Sequence, residues 1–154
     1  MPEFRKSQGR YLRAGRYSEI GRIYLLTTVV KDRKLAFQNW QLGRLLVGTM
    51  KQAEIKGQIK SLAWVIMPDH LHWLVELRAG TMDGVMRRVK SRSTHAINQA
   101  SGRKGPLWQP GYHDHAVRHE EDLKVLARYV LANPLRAGLV KKLAEYPLWD
   151  AIWL

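Results

Sequence analysis

The sequence predicts an α+β domain in which helices pack on an antiparallel sheet. Three observations carry that prediction. The 154 residues fit one hydrophobic core, and 45% of them are apolar, which sets the chain apart from disordered ones. Segments rich in β-branched and aromatic residues are interspersed with segments of helical apolar spacing. Two strand-like segments, IKSLAWVIM and HLHWLVEL, are joined only by Pro68-Asp69, a turn dipeptide that suits a hairpin.

The elements follow in order. Residues 1–19 form a basic arm, in which Gly9, Gly15 and Ser18 keep the chain loose. Residues 20–31, IGRIYLLTTVVK, form a first strand, and KDRKLAFQ is a polar connection. A first helix follows Asn39, its N-cap, with Trp40, Leu42, Leu45, Leu46, Val47 and Met50 at helical spacing and Gly57 as its stop. Residues 59–67 and 70–77 form the hairpin strands, and Gly80 ends the second. Thr81 caps a second helix, with Val85, Met86, Val89 and Ile97 on its apolar side. SGRKGP is a loop, and PLWQPGYHDHAVR is a broken extended segment containing a fourth strand. Glu120, Glu121 and Asp122 suit the first turn of a third helix, where the helix dipole favours acids. That helix ends near Asn133, because Pro134 disfavours helix at the residue before it. Residues 134–154 pack back as a turn of helix and an extended tail. The order β-α-β-β-α-β, with the third helix and tail appended, is the ferredoxin-like arrangement in a single domain spanning residues 1–154.

Charge narrows the partner. Lys and Arg number 26 against 13 acids, a net charge of +13, and such a balance favours a polyanion, most often nucleic acid. Arg13 and Arg16 of the arm and Arg87, Arg88 and Lys90 of the second helix are the candidate contacts. The arm reads equally as a solvated terminus or as a group of cations that displaces counterions from DNA. Trp108 and Tyr112 could stack unpaired bases, or could simply belong to the core. There is no cysteine, which removes disulfides and thiol nucleophiles. No stretch reaches the roughly 18 apolar residues of a membrane span and the N-terminus shows no signal peptide, so a soluble intracellular protein is expected.

The residues able to do chemistry are few. His70 and His72 stand at i and i+2 on a strand, so both imidazoles leave the same face and can share a divalent ion; Glu76 lies on that face too. The plainer alternative is that they are packed or hydrogen-bonded. His113 and His115 have the same spacing, followed by His119, and spacing alone does not choose between the pairs. Tyr129 and Asn133 lie four residues apart on the third helix. A helical tyrosine is usually packing, and becomes a nucleophile where a metal polarises the electrophile. No P-loop, GxGxxG, GxSxG or HExxH is present, nor a carboxylate cluster suited to a two-metal nuclease.

These pieces resemble a known family. His70-Leu71-His72 is a His-hydrophobic-His motif with Tyr129 on a helix downstream, similar to the HUH single-tyrosine transposase superfamily. WVIMPDHLHWLVEL, GPLWQPGYHDHAVR and ARYVLANPLRAGLV, in that order, resemble the REP-associated tyrosine transposases of bacteria, and with GRYSEIGRIYLLTTVV the resemblance covers nearly the whole chain. It implies an enzyme acting on single-stranded DNA, with His70 and His72 as metal ligands and Tyr129 as nucleophile. Asn133 stands where related enzymes use a polar third ligand, often Gln. Mg²⁺ or Mn²⁺ is the implied ion, leaving open positions for water and phosphate. The implied reaction forms a 5′-phosphotyrosine and releases a 3′-OH that can later rejoin the strand. The implied substrate is a hairpin from a repetitive extragenic palindrome with a short guide tetranucleotide, met in the bacterial cytoplasm at the nucleoid. His113 and His115 drop to a supporting role. Insertion-sequence relatives are dimers that donate the tyrosine across the interface, whereas this branch, with its C-terminal tail, favours a monomer. Two rivals remain: a catalytically silent protein binding single-stranded DNA or RNA hairpins, and a metal-dependent nuclease that uses water and forms no covalent intermediate.

Overall fold

The computed structural model describes residues 18–118 and 123–153. Arg13, Arg16, His119 and the acids Glu120, Glu121 and Asp122 lie outside the described residues. The elements are β1 (Ile23–Val29), α1 (Trp40–Ile55), β2 (Ile59–Met67), β3 (His70–Leu77), α2 (Met82–Ser101), β4 (His113–Ala116), α3 (Leu123–Leu131), the single turn α4 (Asn133–Arg136) and β5 (Trp149–Ala151). Short 3₁₀ turns at Lys31–Arg33, Ala36–Gln38 and Leu143–Glu145 join them. The five strands form one antiparallel sheet in the order β4-β1-β3-β2-β5, so the first four have the ferredoxin-like order.

Local chemistry sets the boundaries. The Asn39 side chain accepts from the Gln41 N–H at the start of α1, and Thr81 Oγ1 accepts from the Gly84 N–H at the start of α2. Gly57 and Gly102 follow the two helices at φ 75°, the left-handed geometry that ends a helix without a Cβ penalty.

Strand alternation gives the sheet two apolar faces. Tyr24, Leu26, Leu71, Trp73, Val75 and Leu77 point to the first, where α1 contributes Leu46 and Met50 and α2 contributes Val85, Met86, Val89 and Ile97. Leu25, Val65, Met67 and Leu74 point to the second, where α3 contributes Ala127, Val130 and Leu131. The helices therefore occupy both faces, with α3 and the turn α4 in the layer opposite α1 and α2. The tail also does more than pack: β5 pairs with the edge of β2, joining Ala63 to Ala151 and Val65 to Trp149. No described helix is long and apolar enough to cross a membrane.

Candidate active site

His70 and His72 lie on β3, a central strand with β1 on one side and β2 on the other. They share the face of Leu74, which is the face α3 covers. Their rings meet edge to face with centroids 4.8 Å apart. Each imidazole is tethered through Nδ1: His72 is 2.9 Å from Thr27 Oγ1, and His70 is 2.6 Å from Asp69 Oδ1. An imidazole fixed through one nitrogen presents the other, Nε2, as the ligating atom, and the carboxylate behind it sets tautomer and orientation.

Asp69 is itself held. Arg33 Nη1 donates to Asp69 Oδ2 at 3.1 Å, and the Val30 N–H donates to the Asp69 carbonyl at 2.9 Å. Asp32 and Arg33 both adopt positive φ, 57° and 51°, a backbone form that non-glycine residues rarely take. That sharp turn accompanies the reach of Arg33 back over the β2–β3 turn. Pro68-Asp69, read from sequence as turn chemistry, thus also supplies the carboxylate behind His70.

The electrostatics keep both rings neutral at physiological pH. Burial, then the proximity of His70 and of Arg136, pushes His72 down to about 3. Burial also lowers His70, with Asp69 opposing and Arg33 reinforcing the shift. Burial alone would raise Asp69, yet His70 and Arg33 more than offset it and hold the carboxyl below its ordinary value. Together these directions describe an ionised carboxylate accepting from a neutral imidazole. Neutral imidazoles with anchored Nδ1 atoms are the protonation state a divalent ion needs.

Tyr129 sits on α3, 39% exposed, and the Arg136 guanidinium lies 4.0 Å above its ring centroid. Arg136 also contributes, least of the three causes, to lowering His72, so one cation lies over the tyrosine ring and acts at longer range on a histidine. Sequence reading missed Arg136, because nothing in NPLRAG separates it from an ordinary helix-end cation. Asn133 opens α4, after Ala132 interrupts the helix, and its Nδ2 donates to the Val130 carbonyl at 2.7 Å. That bond leaves Oδ1 as the atom Asn133 can offer a cation. Among the described residues no three His, Cys, Asp or Glu side chains are grouped to hold a metal.

The second histidine pair shares this face. In the strand register Thr27 lies between His72 on β3 and His113 on β4, and His115 lies opposite Leu25. His113 is buried. The rival pairs therefore stand on one face with β1 between them. Glu76 lies on this face too, but four residues along the strand from His72, where it accepts from Arg78 Nε at 2.7 Å.

Several proposed DNA contacts are redirected. Lys90 Nζ donates to the carbonyls of Gln109 and Gly111 at 3.0 and 2.6 Å, fixing the segment before β4. Trp108 and Tyr112 are buried; the Trp108 indole donates to Ser93 Oγ and the Tyr112 hydroxyl to Asp83 Oδ1, so neither offers a face to a base. Arg87 and Arg88 are exposed, but on α2, across the sheet from the histidines.

Comparison with known proteins gives these features a context. Residues 21–133 match the family described as "Transposase IS200 like". A REP-associated tyrosine transposase of Escherichia coli (strain K12) is 34% identical over 87 residues, 55% of this chain and 50% of that protein, so the match spans half of that relative's length. A putative REP-associated tyrosine transposase of Haemophilus influenzae is 24% identical over 138 residues, covering 82% of this chain and 78% of that one. The solved structure of a REP-associated tyrosine transposase bound to a REP hairpin superposes with TM-score 0.72 at 25% identity, over 97% of this chain and 82% of that chain. A putative transposase from Deinococcus radiodurans R1, at 19% identity and TM-score 0.51 over 77% of this chain and 95% of that one, shares the fold.

Proposed function

The chain belongs to the IS200-like transposase family, and on that premise we propose that it cleaves and rejoins single-stranded DNA at REP-type hairpins through Tyr129. One observation carries the reading: within one chain, the helix bearing Tyr129 packs on the sheet face that presents His70 and His72, with the Arg136 guanidinium over the Tyr129 ring. The relative solved with a REP hairpin supports the choice of substrate.

The Tyr129 phenol oxygen attacks phosphorus in line, forming an O–P bond and losing its proton to solvent. The P–O3′ bond breaks, and the 3′ oxygen leaves as a hydroxyl after taking up a proton. The product is a 5′-phosphotyrosine that conserves the bond energy for rejoining. Arg136 neutralises charge on the phosphate as it is transferred. His70 and His72, through Nε2, and Asn133, through Oδ1, would hold Mg²⁺ or Mn²⁺. Such an ion supplies Lewis-acid polarisation of the scissile phosphate. Asp69 and Thr27 keep the rings aimed. The reading favours a monomer acting in cis, supported by β5 on the β2 edge and by the packing of α3 on its own sheet.

The test is cleavage of a flanked hairpin oligonucleotide in Mn²⁺. Replacing His70 and His72 together with Ala should abolish cleavage and spare hairpin binding. Undiminished cleavage by that variant would remove the histidines from the site.

A further inference from the structure

The loop between β1 and α1 carries an exposed surface that the chemistry above does not use. Trp40 is 48% exposed at the first position of α1, and the Arg44 guanidinium lies 5.6 Å from its ring centroid. Leu35 is 51% exposed just before it. Lys31, Arg33, Lys34 and Arg44 are all exposed, against Asp32 as the one acid between residues 31 and 44. A large aromatic left in water among cations is unexpected for a core-forming residue and suits a partner that is both flat and anionic.

This surface adjoins the histidine turn. The Phe37 N–H donates to the Pro68 carbonyl at 3.0 Å, and Arg33 holds Asp69, which holds His70. An unbroken series of contacts therefore runs from the Trp40 loop to the first histidine. α1 lies on the other face of the sheet, so a strand whose scissile phosphate lies at His70 and His72 would round the sheet's end at the Pro68-Asp69 turn to reach the Trp40 loop.

We propose that Trp40 is a stacking platform for an unpaired base of the DNA strand flanking the scissile phosphate, with Lys31, Lys34 and Arg44 contacting the adjoining phosphates. Base stacking on an aromatic ring tolerates any sequence, and neighbouring cations follow the backbone, which is the physical pattern of single-strand binding. The inference rests on the proposed single-strand activity and adds a second contact region beyond the catalytic face.

The experiment measures binding of two probes, a blunt DNA hairpin and the same hairpin with a mixed-sequence single-stranded flank. Trp40→Ala should weaken the flanked probe by about 5- to 100-fold, the size of one lost base–aromatic stack, and leave the blunt hairpin unchanged. Trp40→Phe should restore most of the difference. Circular dichroism checks that both variants remain folded. Equal affinity of Trp40→Ala and the unaltered protein for the flanked probe would overturn the inference, as would an equal loss on both probes. Cleavage assayed in parallel separates the two readings. A Trp40 effect on the flanked probe without cleavage keeps the platform and removes the tyrosine chemistry. Cleavage with no Trp40 effect does the reverse.

Discussion

Asp69 links the backbone turn to the chemistry. Its carboxylate receives Arg33 on one oxygen and His70 on the other, so it orients the His70 ring. Partners of this kind typically change metal affinity by about 10- to 100-fold when removed. Asp69→Asn should therefore weaken Mn²⁺ binding by that order in a calorimetric titration, with little change in melting temperature; unaltered affinity would deny Asp69 this role. His72 makes a separate prediction about pH. Its folded pKa of about 3 lies below the ordinary value of 6.5, so between those values the unfolded chain binds the extra proton. Stability supplied by keeping His72 neutral is present above about pH 6.5 and is lost as pH falls toward 3. Thermal melts from pH 7 to 4 should show a falling midpoint, and His72→Asn should flatten the fall. At this scale the sequence revealed the atoms but not their attachments. His70 and His72 stand out by type and spacing, with His113 and His115 as a rival pair, whereas Tyr129 and Asn133 are singled out only by the family resemblance. Asp69, Thr27 and Arg136 act through contacts made only in three dimensions, and Lys90 looks like a phosphate contact until its carbonyl partners are seen.

Elements whose signals are local were legible to the residue. β2 and β3 occupy residues 59–67 and 70–77 as read from their apolar runs, and both helix caps sit at Asn39 and Thr81. β5 was not legible, because Trp-Asp-Ala has no strand pattern of its own and is extended only through pairing with β2. The tail depends on α1 in a way two glycines can report. A Cβ on Gly43 would come within 2.5 Å of the buried Leu148 side chain, whereas one on Gly48 meets nothing within 4 Å. Gly-to-Ala in a helix ordinarily gains roughly 1 kcal/mol, while overpacking a filled site costs about 1–3 kcal/mol. Gly48→Ala should accordingly raise the denaturation midpoint and Gly43→Ala lower it; a gain at both would show that Leu148 yields freely.

The whole molecule is a basic scaffold with two differently built faces. Its net charge of +13 should make hairpin binding strongly salt-dependent, and six or more phosphate contacts imply at least about a 10³-fold loss between 50 and 200 mM salt. A flat dependence would refute the electrostatic argument. With β5 on the β2 edge, and if Tyr129 acts in cis as proposed, light scattering should find a monomer of 17.8 kDa. The layer formed by α3 is where the fold meets the proposed function, since the helix that closes the second apolar face carries Tyr129, and that face presents His70 and His72. The most direct test is to trap the protein on a flanked hairpin oligonucleotide with Mn²⁺, resolve the mixture on a denaturing gel, and map the modified residue by mass spectrometry. The account predicts one covalent adduct, carried on Tyr129 through a 5′-phosphate and absent from Tyr129→Phe. Strand cleavage without an adduct, or an adduct that persists in Tyr129→Phe, would contradict it.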